Sequence, residues 1–240
     1  MKKFDLSTRM KTVVDMVMPQ GVVADIGCDH AYVSIYLIKY GIAKKVIASD
    51  VRSGPVEIAS RNVREWELED QIEIRIGDGL APIKPYEVDT IILAGMGGIL
   101  MNQILGQQEA VTLSARQLVL QPQSDMTLVR KKLRDMGATI VREDMIVDMG
   151  KYYTVIDARF LEDEKSEDES FEQELYDRYG AYLLQNRHPV LLSYLKKEHA
   201  KNENILKNLA KQDSENAKKK IEELEHLKRY IEAALSYYCP

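Results

Sequence analysis

The chain is poor in cysteine. Only Cys28 and Cys239 occur in 240 residues, far apart in sequence, so no disulfide framework is expected. No Cys or His pair has the spacing of zinc ligands, and no metal is expected. No apolar run is long enough to span a bilayer, and the start Met1-Lys2-Lys3-Phe4-Asp5 has no apolar signal core. A cytoplasmic protein without membrane contact is the expectation. Excess positive charge is also lacking. The net charge is −5 with a pI of about 5.5, which excludes a global attraction to nucleic acid and leaves only local charge to consider. Hydrophobic content of 45% and charged content of 30% are those of an ordinary soluble protein, with length for one large or two small domains.

What is present centres on Val22-Val23-Ala24-Asp25-Ile26-Gly27-Cys28-Asp29-His30-Ala31-Tyr32. A short apolar run ends in an acid, a glycine and a second acid. Tyr32, Val33, Ile35, Tyr36, Leu37 and Tyr40 then recur at near-helical spacing. The pattern predicts a strand, a tight turn and a helix. The next apolar run, Lys45 to Asp50, ends in an acid suited to gripping a ribose diol, with Val51 just behind it. The turn lacks the G-x-G-x-x-G of a pyrophosphate site. One glycine remains, flanked by Asp25 and Asp29, which would repel a phosphate and favour a cation. S-adenosylmethionine meets that demand, with a sulfonium, an ammonium, a ribose diol and no phosphate. The alternative is that Asp25 and Asp29 only cap the helix, which leaves Asp50 unexplained.

Further strand-end turns follow. Ser7 to Met18 reads as a helix capped by Ser7, with Arg9 and Thr12 off its apolar stripe. Pro55 to Trp66 reads as another helix, beginning near Ser53-Gly54-Pro55. Gln71 to Ile76 alternates as a strand and runs into Gly77-Asp78-Gly79-Leu80, where an acid could accept from the exocyclic amine of an adenine. Gly-Asp-Gly alone is also an ordinary turn. Val88 to Ala94 is nearly all apolar, as a central parallel strand would be, and leads into Gly95-Met96-Gly97-Gly98. Ala94, Gly95, Met96 and Gly97 are assigned to the cofactor, and Gly98 to the substrate. Gln117 to Pro122 is a fifth strand. Thr127 to Met136 reads as a helix with Arg130, Lys131, Lys132 and Arg134 exposed, either a solvated face or one that meets phosphates. Two β-rich runs, Ala138 to Asp148 and Lys151 to Phe160, are joined at Asp148-Met149-Gly150 as a hairpin. Tyr152 and Tyr153 open the last strand. An alternating β/α series ending in an antiparallel hairpin matches an α/β class I methyltransferase, a Rossmann-like seven-stranded sheet.

Acids crowd from Glu162 to Asp177 and suggest a linker running into a helix, so residues 1–161 and 162–240 are expected to be separate domains. Beyond it, Val190, Leu191, Tyr194, Leu195, Ile205, Leu206 and Leu209 recur at threes and fours. Ile221, Leu224, Leu227, Ile231, Ala234 and Leu235 do likewise after a polar break at Asp213 to Asn216. The reading is a C-terminal α-helical coiled-coil hairpin. From Arg178 onward it carries 12 Lys and Arg against 8 Asp and Glu. Lys196, Lys197, Lys201, Lys207, Lys211, Lys218, Lys219 and Lys220 could follow a phosphate backbone; self-association as a weak dimer is the alternative to an RNA-binding monomer.

Leu6-Ser7-Thr8-Arg9-Met10, Asp25 to Tyr32, Ala94-Gly95-Met96-Gly97-Gly98 and Gln121-Pro122 together resemble the bacterial TrmK family of tRNA adenine-N1 methyltransferases acting at position 22. The likeness runs over nearly the whole chain. Met10 stands where leucine is expected, a conservative departure. The resemblance implies S-adenosylmethionine as methyl donor and tRNA as substrate. No Asn/Asp-Pro-Pro-Tyr tetrad for an exocyclic amine is present, which agrees with a ring nitrogen as target. Asp25, Gly27, Cys28, Asp29 and His30 are expected at the methionine end, Asp50 and Val51 at the ribose, and Gly77, Asp78, Gly79 and Leu80 at the adenine. Arg9 and Asp29 are the candidates nearest the chemistry, and Gln121 a further wall of the substrate pocket. A small-molecule methyltransferase would share every cofactor feature but would not need the basic helices. A non-catalytic RNA-binding scaffold would not need the four acids.

Overall fold

The computed structural model describes residues 5–161, 170–211 and 214–239. The polar start at residues 1–4, the linker expected over 162–169 and Asp213 of the expected polar break lie outside them. The chain divides into two compact units, residues 1–166 and 167–240.

In the first unit the apolar runs become strands and the 3.6-residue stripes become helices. Their order is α1 (Thr8–Asp15), β1 (Val22–Ile26), α2 (Tyr32–Lys39), β2 (Lys45–Asp50), α3 (Ser53–Glu65), β3 (Ile72–Ile76) and β4 (Thr90–Met96). Then come α4 (Gly98–Gln107), α5 (Glu109–Ser114), β5 (Gln117–Pro122), α6 (Met126–Asp135), β6 (Thr139–Asp148) and β7 (Lys151–Arg159). One seven-stranded sheet results, in the order β3-β2-β1-β4-β5-β7-β6. Strand β7 runs antiparallel to both its neighbours, β5 and β6, and the other pairings among the described strands are parallel. The sheet order reverses between β1 and β4, the position where such sheets open a crevice at their carboxyl ends.

Alternation along the strands explains the two-sided core. Ala24, Ile47, Ile91, Leu93, Leu118 and Leu120 face one cluster, with Met101, Leu105, Val129 and Leu133 from α4 and α6. Val23, Val46, Ala48, Ile92 and Val119 face the other, with Val13, Val14, Ile35 and Val63 from α1, α2 and α3. On that second face, buried Gln117 fastens the end of α1. Its Oε1 accepts from the Met18 amide at 2.8 Å and from Thr90 Oγ1 at 3.0 Å, and its Nε2 donates to the Met16 carbonyl at 2.7 Å. The start of α1 is capped as expected, Ser7 Oγ accepting from the Met10 amide.

Some features differ from the sequence reading, among them α1, which ends at Asp15 and not at Met18. Strand β4 continues past Ala94 to Met96, across an irregularity opposite β5. Helix α3 begins at Ser53, within the expected start, with Pro55 in its first turn where a missing N–H costs nothing. Arg130 is not exposed: it is 4% accessible and pairs at 2.8 Å with Glu143 Oε1 of β6, whose side chain is fully buried. The basic stripe on α6 hid one member that the neighbouring strand draws inward. The hairpin does turn at Met149-Gly150, both with positive φ (48° and 76°), pairing Asp148 with Lys151.

The second unit contains α7 (Phe171–Tyr179), α8 (Ala181–Gln185), α9 (Pro189–Leu209) and α10 (Glu215–Ser236). Contacts of Asn202 with Leu224, Glu203 with Lys228 and His199 with Glu232 make α9 and α10 antiparallel. Leu191, Leu195, Leu224, Tyr230, Ile231 and Ala234 are buried between the helices of this unit. Among the described residues no helix is long and apolar enough to cross a membrane.

Candidate active site

The ends of β1, β2, β3 and β4 surround a cavity of about 1000 Å³, within the range of ligand sites. Asp25, Gly27, Cys28, Asp29 and His30 line it from β1 and its turn, with Asp50, Val51, Gly77, Asp78 and Gly79 from the next two strand ends. The turn is tight because Gly27, Asp29 and Ala31 all hold positive φ, at 72°, 50° and 59°. The amides of Gly27 and Cys28 both donate to the Ser49 carbonyl, at 2.8 and 3.0 Å, which ties this turn to β2. A Cβ on Gly27 would lie 2.6 Å from Met96 Cε, so the glycine lets the β4 loop close over the turn.

The acids differ in setting. Asp25 is 5% exposed, and its Oδ2 accepts from Ser34 Oγ at 2.6 Å. Burial raises its carboxyl to about 6, and hydrogen bonds from the Ser34 hydroxyl and amide oppose that rise. Ser34 lies in the first turn of α2, so the capping reading holds in part for Asp25, which serves the helix from the strand before it. It does not hold for Asp29, whose side chain is 66% exposed at the cavity with His30 Nε2 3.6 Å away. Asp50 is 6% exposed, its Oδ1 accepting from the Arg52 amide at 3.0 Å. Its Oδ2 has no hydrogen-bond partner among the described residues. The Cys28 thiol is pushed well up, first by burial and then by the Asp25 and Asp50 carboxylates, so it stays protonated and is no nucleophile.

On the β4 side, Ala94, Gly95 and Met96 line the cavity, as do Arg9 and Met10 at α1, with Arg9 lying against Gly95. Arg9 Nη1 donates to Gln121 Oε1 at 2.7 Å, and its guanidinium carbon is 5.2 Å from the centre of the Tyr153 ring. Several assigned residues lie elsewhere. Gly97 and Gly98 pack against Ser124, a Cβ on Gly98 falling 2.6 Å from the Ser124 carbonyl oxygen, so they support the loop and do not line the cavity. Leu80 buries its side chain in the core, and Gln121, 0% exposed, stands behind the wall and not in it. Lys196 and Lys197 lie in the N-terminal half of α9. Lys218, Lys219 and Lys220 open α10 beside the α9–α10 connection. Antiparallel pairing therefore places the two groups near opposite ends of the hairpin, about 20 Å apart along its axis. Two of the second group are paired within their own helix, Lys218 with Glu215 and Lys220 with Glu223.

Sequence reasoning missed Gln123, Arg52, Leu100 and Ile104, which also line the cavity. Arg52 was legible as the residue closing a turn on Asp50. Leu100 and Ile104 carried no signal, since apolar positions on a helix read as core.

A family model described as a methyltransferase domain matches residues 6–156. The tRNA (adenine(22)-N(1))-methyltransferase of Bacillus subtilis is 31% identical over 225 residues, covering 93% of this chain and 94% of that one. Streptococcus pneumoniae Sp1610, solved with S-adenosyl-L-methionine, superposes with a TM-score of 0.83 at 28% identity, over 96% of this chain and 100% of that one. M. capricolum TrmK, solved with S-adenosyl-homocysteine, gives 0.82 at 25% identity, over 97% and 98%. A methyltransferase fold with four acids at its strand ends, matched over nearly its whole length, places this chain in the family of the B. subtilis tRNA (adenine(22)-N1)-methyltransferase.

Proposed function

We propose that the chain methylates N1 of adenine 22 in tRNA with S-adenosylmethionine as donor. The observation that carries the reading is the cavity itself, which four carboxylates and a fixed arginine line together. The residues suit the donor. Asp50 offers an uncommitted oxygen to a ribose diol, Asp25 and Asp29 favour a cationic methionine end, and Asp78 can accept from an adenine amine. S-adenosylmethionine, when bound, supplies an electrophilic methyl group. The chain's own task is then to orient a base. Adenine N1 carries an in-plane lone pair and needs no deprotonation, so no general base is required and the protonated Cys28 is no obstacle. Arg9 contacts the substrate near the methyl, and Met10 and Gly95 shape the wall around it. The methylated base is cationic until N6 loses a proton, and Asp29 is placed at the cavity to stabilise that charge. N1 lies on the pairing edge, so the base must leave its stack to reach the site. Lys196, Lys197 and Lys218 to Lys220 are assigned to the tRNA backbone.

Labelled S-adenosylmethionine and unmodified tRNA transcripts with adenine or guanine at position 22 test this, with nucleosides separated by mass spectrometry. 1-Methyladenosine in the first transcript alone is expected. Donor binding without transfer to either would move the reading to a small-molecule acceptor.

A further inference from the structure

Gln121 is fully buried near the end of β5, on the same sheet face as Gln117 and Val119. A buried amide needs partners for its oxygen and its nitrogen. Its Nε2 donates to the Pro122 carbonyl at 3.0 Å. Its Oε1 accepts twice, from Arg9 Nη1 at 2.7 Å and from the Gly95 amide at 3.2 Å.

The second of these bonds follows from the ladder between β4 and β5. Ala94 pairs with Gln121 and Met96 with Pro122, so Gly95 is an extra residue on β4, a bulge. Its φ of +79° is one that glycine adopts freely. A bulged residue loses its place in the ladder, and its N–H needs another acceptor. The Gln121 side chain supplies that acceptor. The same oxygen holds Arg9, which lies over the bare face of the bulge: a Cβ on Gly95 would come within 3.5 Å of Arg9 Nη1. Tyr153 of β7 supports the guanidinium from another side. Gln121 thus joins the bulge and the arginine without itself reaching the cavity, which Arg9 and Gly95 both line.

We propose that Gln121 is a positioning residue for methyl transfer, fixing Arg9 and the Gly95 bulge in register so that the acceptor wall is set before a base arrives. The proposal rests on the methyl-transfer reading of the cavity. Loss of the Gln121 oxygen would free the acceptor side and leave the acids that hold the donor in place.

Four variants test it: Gln121→Met, close in volume but with no acceptor; Gln121→Glu, which keeps the acceptor; Arg9→Ala; and Gln121→Met with Arg9→Ala. Single-turnover transfer to tRNA, donor affinity by calorimetry and hydrogen exchange at the Gly95 amide are measured in each. Gln121→Met is expected to slow transfer about tenfold or more with donor Kd within about twofold. The double variant should be no slower than Arg9→Ala within about twofold, because the two residues act as one unit. Gly95 exchange should accelerate in Gln121→Met and not in Arg9→Ala, and Gln121→Glu should retain most of the rate. A fifth variant, Gln121→Asn, too short to reach both partners, should behave as Gln121→Met does with a polar group kept in place. Multiplicative losses in the double variant, or unchanged Gly95 exchange, would overturn the proposal. If the wild type makes no 1-methyladenosine, the methyl-transfer reading falls, and Gly95 exchange in Gln121→Met still decides whether Gln121 holds the bulge.

Discussion

Asp25 and Asp50 look alike in sequence and are equally buried, yet their hydrogen bonds differ: Asp25 accepts from Ser34 and Asp50 from the Arg52 amide. Asp25 titrates near 6 when folded and at its ordinary 3.8 when unfolded. A carboxyl raised on folding weakens the folded state once ionised. The penalty is absent below pH 3.8, grows as pH rises to about 6 and is complete above it. At full size it amounts to about 3 kcal/mol. Asp25→Asn should therefore gain stability relative to the wild type on going from pH 4 to pH 7.5, read by thermal unfolding without donor; a constant difference would sink the account. Asp50 has its oxygen free for a ligand. Asp50→Ala should weaken S-adenosylmethionine binding by about 10- to 100-fold in calorimetry, the worth of hydrogen bonds to a charged group.

At the scale of elements, what was legible was what repeats. The β1 turn announced itself through Asp25, Gly27 and Asp29, and the alternating strands through their period of two. The sheet followed, because parallel strands buried on both faces leave few topologies. Illegible were features set by a partner strand. Arg130 reads as a surface charge until Glu143 is known to lie opposite it, and Gly95 as the start of a loop until β5 shows it to be a bulge. Gly97 and Gly98 were read as pocket residues because glycines at a strand end permit close approach. The close approach is real, but it is made by Ser124. Gly98→Ala should then act on stability, lowering it by about 1–3 kcal/mol through overpacking. Denaturant unfolding tests this, and donor affinity in the remaining folded protein should be unchanged.

For the whole molecule, charge is divided between parts with different tasks. The cavity gathers acids, while the stretch from Arg178 onward carries 12 Lys and Arg against 8 Asp and Glu in a chain whose net charge is −5. Lys218, Lys219 and Lys220 all changed to Glu should weaken tRNA binding and flatten its dependence on salt, since fewer counterions are released per complex. Donor binding should not move. Equal salt slopes for variant and wild type would favour self-association as the use of this surface. The contacts that fasten α1 add a consequence for assembly. Gln117 and Gln121 meet Arg9 of α1 and Met16 and Met18 just past its end, separated from them by 99 to 112 positions. The turns that surround the donor are built from neighbouring βαβ units and need only short loops to close. Helix α1 can pack early against α2 through Val13, Val14 and Ile35, but its polar fastening waits until β5 has been made. The acidic turns can take shape early, and the wall proposed to receive the base must wait for Gln121.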